Sequence, residues 1–217
     1  MARGMRGAPM WLPPPEPGTS VCGGFDGSEV DDWTAIRLET RMGHLFTPRW
    51  GPDRLPTIWK PSDHGGRIPR GQVRTAWAEI TETFDLRRAY CDPGFNDESS
   101  WSTDIAEWAQ EWPLADSKPD RFVEFPTTSQ RRMFAAIRRF EADLPSLTHD
   151  GCPITTAHMR NARKIPGRNR TYALGKPTAH QKIDAAVTTV LAHEAAADER
   201  AAGWLTPEVN EVICFTR

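Results

Sequence analysis

The sequence predicts an α/β layered domain, and two observations carry that reading. Short apolar segments bounded by glycine and proline come first. Longer segments with apolar residues at three- and four-residue spacing then alternate with further short apolar runs. At 217 residues with 38% hydrophobic and 26% charged content, the chain has the size of one domain with tails. Residues 1–19, with Pro13, Pro14, Pro15 and Pro17, read as an arm or linker. The domain is expected over residues 20–197, with a tail over 198–217. No internal repeat is present.

The elements follow in order. Val21 to Asp26 is a short buried strand ending in Gly27-Ser28, and Trp33 to Thr40 is a second strand with alternating character. A third is expected over His44 to Trp50. The proline- and glycine-rich stretch 51–71 reads as an irregular loop with a brief strand at Thr57 to Lys60. Val73, Trp77, Ile80 and Phe84 mark a helix from Gln72 to Phe84, and Arg88 to Asp92 is a strand cut off by Pro93-Gly94. Trp101, Ile105, Trp108 and Trp112 mark a helix from Ser100 to Trp112, with the tryptophans expected in the core rather than as a base-stacking platform. A strand over Arg121 to Phe125 and a helix over Ser129 to Asp143 come next. Ile183, Val187, Val190 and Leu191 form the apolar stripe of a last helix from Ala179 to Ala197.

Composition removes several classes. The longest apolar runs fall far short of the roughly 20 residues that span a bilayer, and the opening residues, with Arg3 and Arg6 followed by proline, lack the apolar core of a signal peptide. Cys22, Cys91, Cys152 and Cys214 form no C-x-x-C pair, which argues against a zinc ribbon or disulfide framework and leaves buried free thiols as the expectation. Gly175-Lys176 is not a phosphate-binding loop, because Arg170 stands where its glycine is needed and Pro177 where its hydroxyl is needed. The net charge of −2 does not by itself suggest a nucleic-acid partner.

Three aspartates lie where chemistry is done in α/β proteins. Asp26 and Asp92 end strands, where ligands bind outside the carboxyl ends of a sheet, and Asp184 stands near the start of the last helix. If that helix crosses the same sheet edge, three carboxylates converge; they repel one another unless cations intervene, and hard oxygen donors favour magnesium or manganese. Singly, each has a plainer reading as a turn or helix-start aspartate.

Taken in order, Gly24-Phe25-Asp26-Gly27-Ser28 with Asp32-Trp33-Thr34-Ala35, Tyr90-Cys91-Asp92-Pro93, His149-Asp150-Gly151 leading to His158-Met159-Arg160-Asn161-Ala162, and Lys182-Ile183-Asp184-Ala185-Ala186 resemble the nuclease domain of tailed-phage terminase large subunits, over residues 20–197. The resemblance implies an RNase H-like fold, with a central mixed β-sheet flanked by α-helices, and two-metal cleavage of concatemeric double-stranded DNA during genome packaging. It assigns Asp26, Asp92 and Asp184 as catalytic metal ligands, with Asp32 as an auxiliary one. Asp31 is expected to point to the opposite face. Implied cofactors are two Mg2+ or Mn2+ ions. Implied partners are DNA, a packaging ATPase, the small terminase subunit and the portal, with no membrane, in the host bacterial cytoplasm and outside the finished virion. Two alternatives stay open: another RNase H-like nuclease such as a Holliday junction resolvase, and a non-catalytic interaction module of the packaging complex.

Between Met159 and Lys182 stand Arg160, Arg163, Lys164, Arg168, Arg170, Lys176 and Lys182 with no acid among them. This run reads either as a loop lying along DNA phosphates or as a solvated surface loop. Arg67 and Arg70 are a weaker second candidate for DNA contact. His180 is expected one helical turn before Asp184, on its face. His149 and His158 fall in the resemblance without a role that the residues define, and His158 with Asn161 lacks the second histidine of an HNH nuclease.

Overall fold

The computed structural model describes residues 11–28, 32–94, 100–114, 120–178 and 180–204. The beginning of the proposed arm (1–10), Asp31, Ala179, the end of the tail (205–217) and its Cys214 lie outside the described residues. Strand β1 (Ser20–Asp26) is the centre of the sheet. On one side it pairs antiparallel with β2 (Thr34–Thr40), which pairs with β3 (His44–Phe46). Two short strands follow, β4 (Arg49–Trp50) and β5 (Leu55–Pro56), which pair with each other, and then β6 (Ile58–Trp59), which joins the far end of β2. After helix α1 (Arg70–Thr83), β7 (Asp85–Asp92) runs parallel to β1 on its other side. Helix α2 (Ser102–Glu111) leads to β8 (Phe122–Glu124), parallel to β7. Helix α3 (Gln130–Asp143) leads to β9 (Thr148–His149), parallel to β3 at the opposite edge. The sheet order is therefore β8-β7-β1-β2-β3-β9, a mixed sheet of the RNase H-like kind. After β9 come α4 (Pro153–Asn161), a hairpin of β10 (Arg163–Pro166) and β11 (Tyr172–Gly175), and α5 (Asp184–Ala201).

Alternation along β1 and β7 separates two apolar layers. Val21 and Phe25 of β1, with Leu86, Ala89 and Cys91 of β7, face α1 and α2, where Trp77, Trp101 and Trp108 are fully buried. Phe25 receives the edges of Trp101 and Trp108 at centroid distances of 5.1 and 5.3 Å, an arrangement aromatic pairs favour. Trp77, Trp101 and Trp108 are core residues, as their helical spacing predicts, and Trp112 packs half-buried against the same layer. Cys22 and Tyr90 face the other way, onto Met133, Ile137 and Phe140 of α3 and Val190, Leu191 and Ala195 of α5.

The structure corrects several expected elements. The third strand is broken after Phe46, because Thr47 and Pro48 turn the chain away before β4. Strand β7 starts at Asp85 rather than Arg88, immediately after α1 ends. Every residue of β2 is buried, on both faces of the strand. Arg37 and Glu39 are satisfied inside the protein, by Asp150 and Thr47 and by His193 and Arg200 respectively. The last helix begins at Asp184 and continues to Ala201, and Trp204 behind it is buried with its indole N–H donated to Ser20 Oγ at 2.8 Å. Cys22, Cys91 and Cys152 are buried free thiols. Arg70 is committed to α2, bonded to Asp104 and stacked on Trp101. Among the described residues no helix is long and apolar enough to cross a membrane.

Candidate metal and nuclease site

Asp26 and Asp92 are register partners at the carboxyl ends of β1 and β7, two parallel neighbours, so their side chains leave the same face of the sheet. That is the α5 face, and Gly24 explains how α5 reaches it. Gly24 shares a face with Asp26, and a Cβ on it would stand 2.1 Å from the Thr188 carbonyl oxygen and 2.5 Å from the Ala192 nitrogen. With no side chain in the way, α5 rests directly on the β1 backbone. One turn before Thr188 stands Asp184, the first residue of the helix. The close approach at Gly24 therefore sets Asp184 over the end of β1, where Asp26 is two residues further along.

Electrostatics registers this convergence. Burial, then the charges of Asp92, Asp184 and Asp32, drive the Asp26 carboxyl well above its ordinary range. Asp184 is pushed up to about 6, chiefly by burial, and its Oδ2 is enclosed with no hydrogen-bond partner. Asp92 is raised by burial against the pull of Thr127, whose hydroxyl donates to Oδ2 at 2.6 Å and whose backbone N–H donates to Oδ1 at 3.2 Å. The carboxylates share one sheet edge without closing into a ready-made cage: among the described residues no three His, Cys, Asp or Glu side chains ring an ion-sized space. Buried, mutually repelling acids with an orphaned oxygen are a donor set for a hard divalent cation, and magnesium or manganese fits it.

Asp32 is at the edge of this group. Its Oδ1 accepts from Lys176 Nζ and from Lys182 Nζ, each at 2.6 Å. Burial would raise its carboxyl, but hydrogen bonds from Lys176 and then Lys182 hold it below the ordinary value.

The basic run is not a loop. Arg160 belongs to α4, and Arg163 and Lys164 open a hairpin whose other strand ends one residue before Lys176. The hairpin is fastened to α3: Tyr172 donates its hydroxyl to Glu141 at 2.7 Å, Gln130 donates to Thr171 at 2.9 Å, and the Phe134 and Tyr172 rings meet edge to face. Lys164 is tied to Glu141 at 2.5 Å. Arg163 donates to the carbonyls of Arg160 and Ala162. Arg168 and Arg170 occupy the exposed tip, with Asn169 and Arg170 both at positive φ. Of the seven basic residues, then, Lys176 and Lys182 stand beside the carboxylates and the others spread along the hairpin and α4.

His158 now has a role. Its Nδ1 accepts the backbone N–H of Ala185 at 3.0 Å. The residue capping α5 is Ile183, which has no side-chain acceptor for the open donors of the helix start. Burial, then Lys182, lowers the imidazole to about 4, so it stays neutral and Nδ1 stays an acceptor. Asn161, one turn on, donates to the Lys182 carbonyl at 3.0 Å. The motif containing His158 and Asn161 thus positions the start of α5. His149 accepts from its neighbour Gly151, and His180 is exposed and lies before α5 rather than on it. Thr127 is the site residue that sequence reading missed; a threonine after Pro126 carries no signal until the strand end is placed beside Asp92.

The order of strands and helices is shared with solved terminase nuclease domains. Among solved structures, the chain superposes on the large terminase nuclease of thermophilic phage G20c, determined with bound magnesium, with a TM-score of 0.55 at 12% identity, covering 85% of this chain and 92% of that one. It superposes on the HK97 bacteriophage large terminase with a TM-score of 0.60 at 18% identity, covering 87% of this chain and 40% of that one. In sequence it is 30% identical over 196 residues to the gene 13 protein of Mycobacterium phage D29, and 29% identical over 194 residues to that of Mycobacterium phage L5. These alignments take in 86% and 85% of this chain but only 31% and 30% of the relatives, so the chain spans less than a third of their length. No family model matches the chain.

Proposed function

We propose that this chain is the nuclease part of a large terminase, an endonuclease that cuts concatemeric double-stranded phage DNA with the help of two magnesium or manganese ions. The observation that carries the reading is the pairing of Asp26 with Asp92 at adjacent parallel strand ends, with Asp184 brought over them by the α5–Gly24 contact. Asp26, Asp92 and Asp184 would hold the ions, and bound divalent cations supply Lewis acidity toward a phosphodiester at such a site. The protein's own part is to place charge. Thr127 fixes the Asp92 carboxylate through two donors, and His158 fixes the helix start that carries Asp184. Lys176 and Lys182 offer ammonium donors to the phosphate beside the carboxylates, while Arg160, Arg163, Lys164, Arg168 and Arg170 meet backbone phosphates further along. Contacts of this kind give little sequence preference.

On this reading the protein works in the host bacterial cytoplasm with a packaging ATPase, a small terminase subunit and the portal, and is not a stable part of the virion. The test is plasmid cleavage by purified protein. Linearisation or nicking with manganese or magnesium, abolished by EDTA and by Asp26→Ala or Asp184→Ala, supports the proposal; cleavage that persists in both variants overturns it.

A further inference from the structure

The tryptophans of α1 and α2 are enclosed in an apolar layer, but Trp33 belongs to neither layer of the protein. It stands half-buried immediately before β2, and the sheet register fixes its place. Asp92, Asp26, Ala35 and Ile58 form one row across β7, β1, β2 and β6. Two residues beyond Ala35, on the same face and past the end of β1, is Trp33; the same step beyond Ile58 reaches Lys60, which the ladder sets opposite Trp33. The indole lies on the side of the sheet that carries α4 and α5, its ring centre 5.0 Å from that of His158, and Lys60 Nζ is 5.8 Å from the indole centre. Lys60 pairs with Asp63 at 3.7 Å and its side chain is 45% exposed, so this ion pair is loose and the ammonium faces water. One strand over and two residues out from Asp26, Trp33 is about 8 Å from it along the sheet, roughly two nucleotides of a DNA strand.

We propose that Trp33 and Lys60 form a wall of the cleavage site on the β2–β6 side of Asp26, where the indole covers the sugar and base edge of a nucleotide next to the cut and Lys60 pairs with that nucleotide's phosphate. The proposal rests on the nuclease reading above and adds a DNA contact outside the basic hairpin. Aromatic faces hold nucleotides whatever the base, and a lysine beside the ring supplies the charge for the phosphate. The two side chains come from different segments, one at the entrance to β2 and one at the exit of β6, and the register of the ladder keeps them together. His158 backs the indole and also accepts the Ala185 N–H, so the wall and the start of α5 that carries Asp184 are built on the same imidazole. A nucleotide held against Trp33 is thereby held at a fixed distance from the carboxylates.

Trp33→Phe, Trp33→Ala and Lys60→Gln separate a DNA contact from a merely structural role. Binding of a fluorescein-labelled duplex is measured by anisotropy in EDTA over a range of salt, so that metal affinity does not enter, and cleavage is followed with manganese. The expected result is that Lys60→Gln, an exposed change that leaves the fold alone, lowers the slope of log affinity against log salt by about one. Trp33→Ala weakens duplex binding by about tenfold at an unchanged salt slope, the mark of a neutral stacking contact, while Trp33→Phe stays within about threefold of native. If Trp33→Ala leaves duplex affinity in EDTA unchanged, the indole only backs His158 and the proposal is wrong, whatever happens to cleavage. If Trp33→Ala lowers the salt slope as Lys60→Gln does, the indole only holds the lysine and the stacking contact is wrong. A native salt slope in Lys60→Gln removes the phosphate contact. A native protein that shows the expected effects on binding yet cuts nothing would overturn the nuclease reading rather than the wall, and one with no affinity for duplex would overturn both.

Discussion

Gly24 and Thr188 touch backbone to backbone: a Cβ at Gly24 would be 2.1 Å from the Thr188 carbonyl oxygen. This contact joins the fold to the site, because it determines how far α5 descends onto β1 and therefore where Asp184 hangs relative to Asp26. Gly24→Ala should push the helix away, costing about 3 kcal/mol as overpacking against backbone atoms that cannot rotate aside. The same variant should lose Mn2+ affinity, since the third carboxylate is displaced. Urea unfolding and calorimetric titration check the two effects, and native-like stability in Gly24→Ala would refute the account. Gly23, whose added Cβ would meet only side chains, at 3.1 Å or more, should tolerate alanine better.

Much of this was readable from the chain. Short runs punctuated by glycine and proline place β1, β7 and β8, and period-3.6 runs place α1, α2 and α3 to within a few residues. Asp26 and Asp92 stand out because strand ends in such proteins face ligands. What local sequence does not carry is partnership across the fold. Nothing near Arg37 and Glu39 in the sequence says what pairs with them inside the protein, where the buried Asp150 and His193 do so. The basic run 160–176 looks like a loop because its strands pair only with each other and lean on α3 through Glu141, Gln130 and Phe134. His158 has no visible task until Ala185 is beside it.

Thr127 should matter to metal binding without touching the metal. Its hydroxyl and backbone N–H both stabilise the charged form of Asp92 and fix its direction. Thr127→Val keeps the shape and the backbone donor and removes the 2.6 Å hydroxyl bond. Partners of ligating carboxylates are typically worth tenfold or more in affinity, so Mn2+ binding should weaken by about tenfold while Thr127→Ser stays near native. Equal affinities for the valine and serine variants would rule this out.

The pH dependence of stability should contain two opposing parts. The Asp184 carboxyl, raised to about 6 from an ordinary 3.8, binds its proton more tightly in the folded state, so the metal-free fold loses stability as pH rises from about 4 through 6. His158, lowered from 6.5 to about 4, acts in the opposite sense: the unfolded chain takes up its proton first, and stability falls as pH drops below 6.5. Asp184→Asn should therefore raise the melting temperature of metal-free protein at pH 7.5 by roughly 5 °C and change it little at pH 4. His158→Gln should lower it more at pH 7.5 than at pH 4.5. Thermal scans of both variants across this range test the assignment; parallel shifts at all pH values would contradict it.

The buried Arg37–Asp150 pair should prove to be what seats α4, and through His158 the start of α5. Both side chains are almost wholly enclosed, and Asp150 also accepts the backbone N–H groups of Thr47 at 2.7 Å and Cys152 at 3.1 Å, the latter immediately before α4. Removing the carboxylate strands a buried guanidinium and two backbone donors at once. Asp150→Ala should accordingly cost about 4 kcal/mol, within the range for breaking a buried ion pair from one side. Asp150→Asn keeps one oxygen for one of the two backbone donors, which bond different carboxylate oxygens, and sets an NH2 against the other, so it should cost somewhat less than alanine, about 3 kcal/mol. If α4 is the link to the site, Asp150→Asn will also weaken Mn2+ binding although it is remote from the carboxylates. A destabilised variant with native metal affinity would show instead that α5 is held in place by its contact with β1 alone.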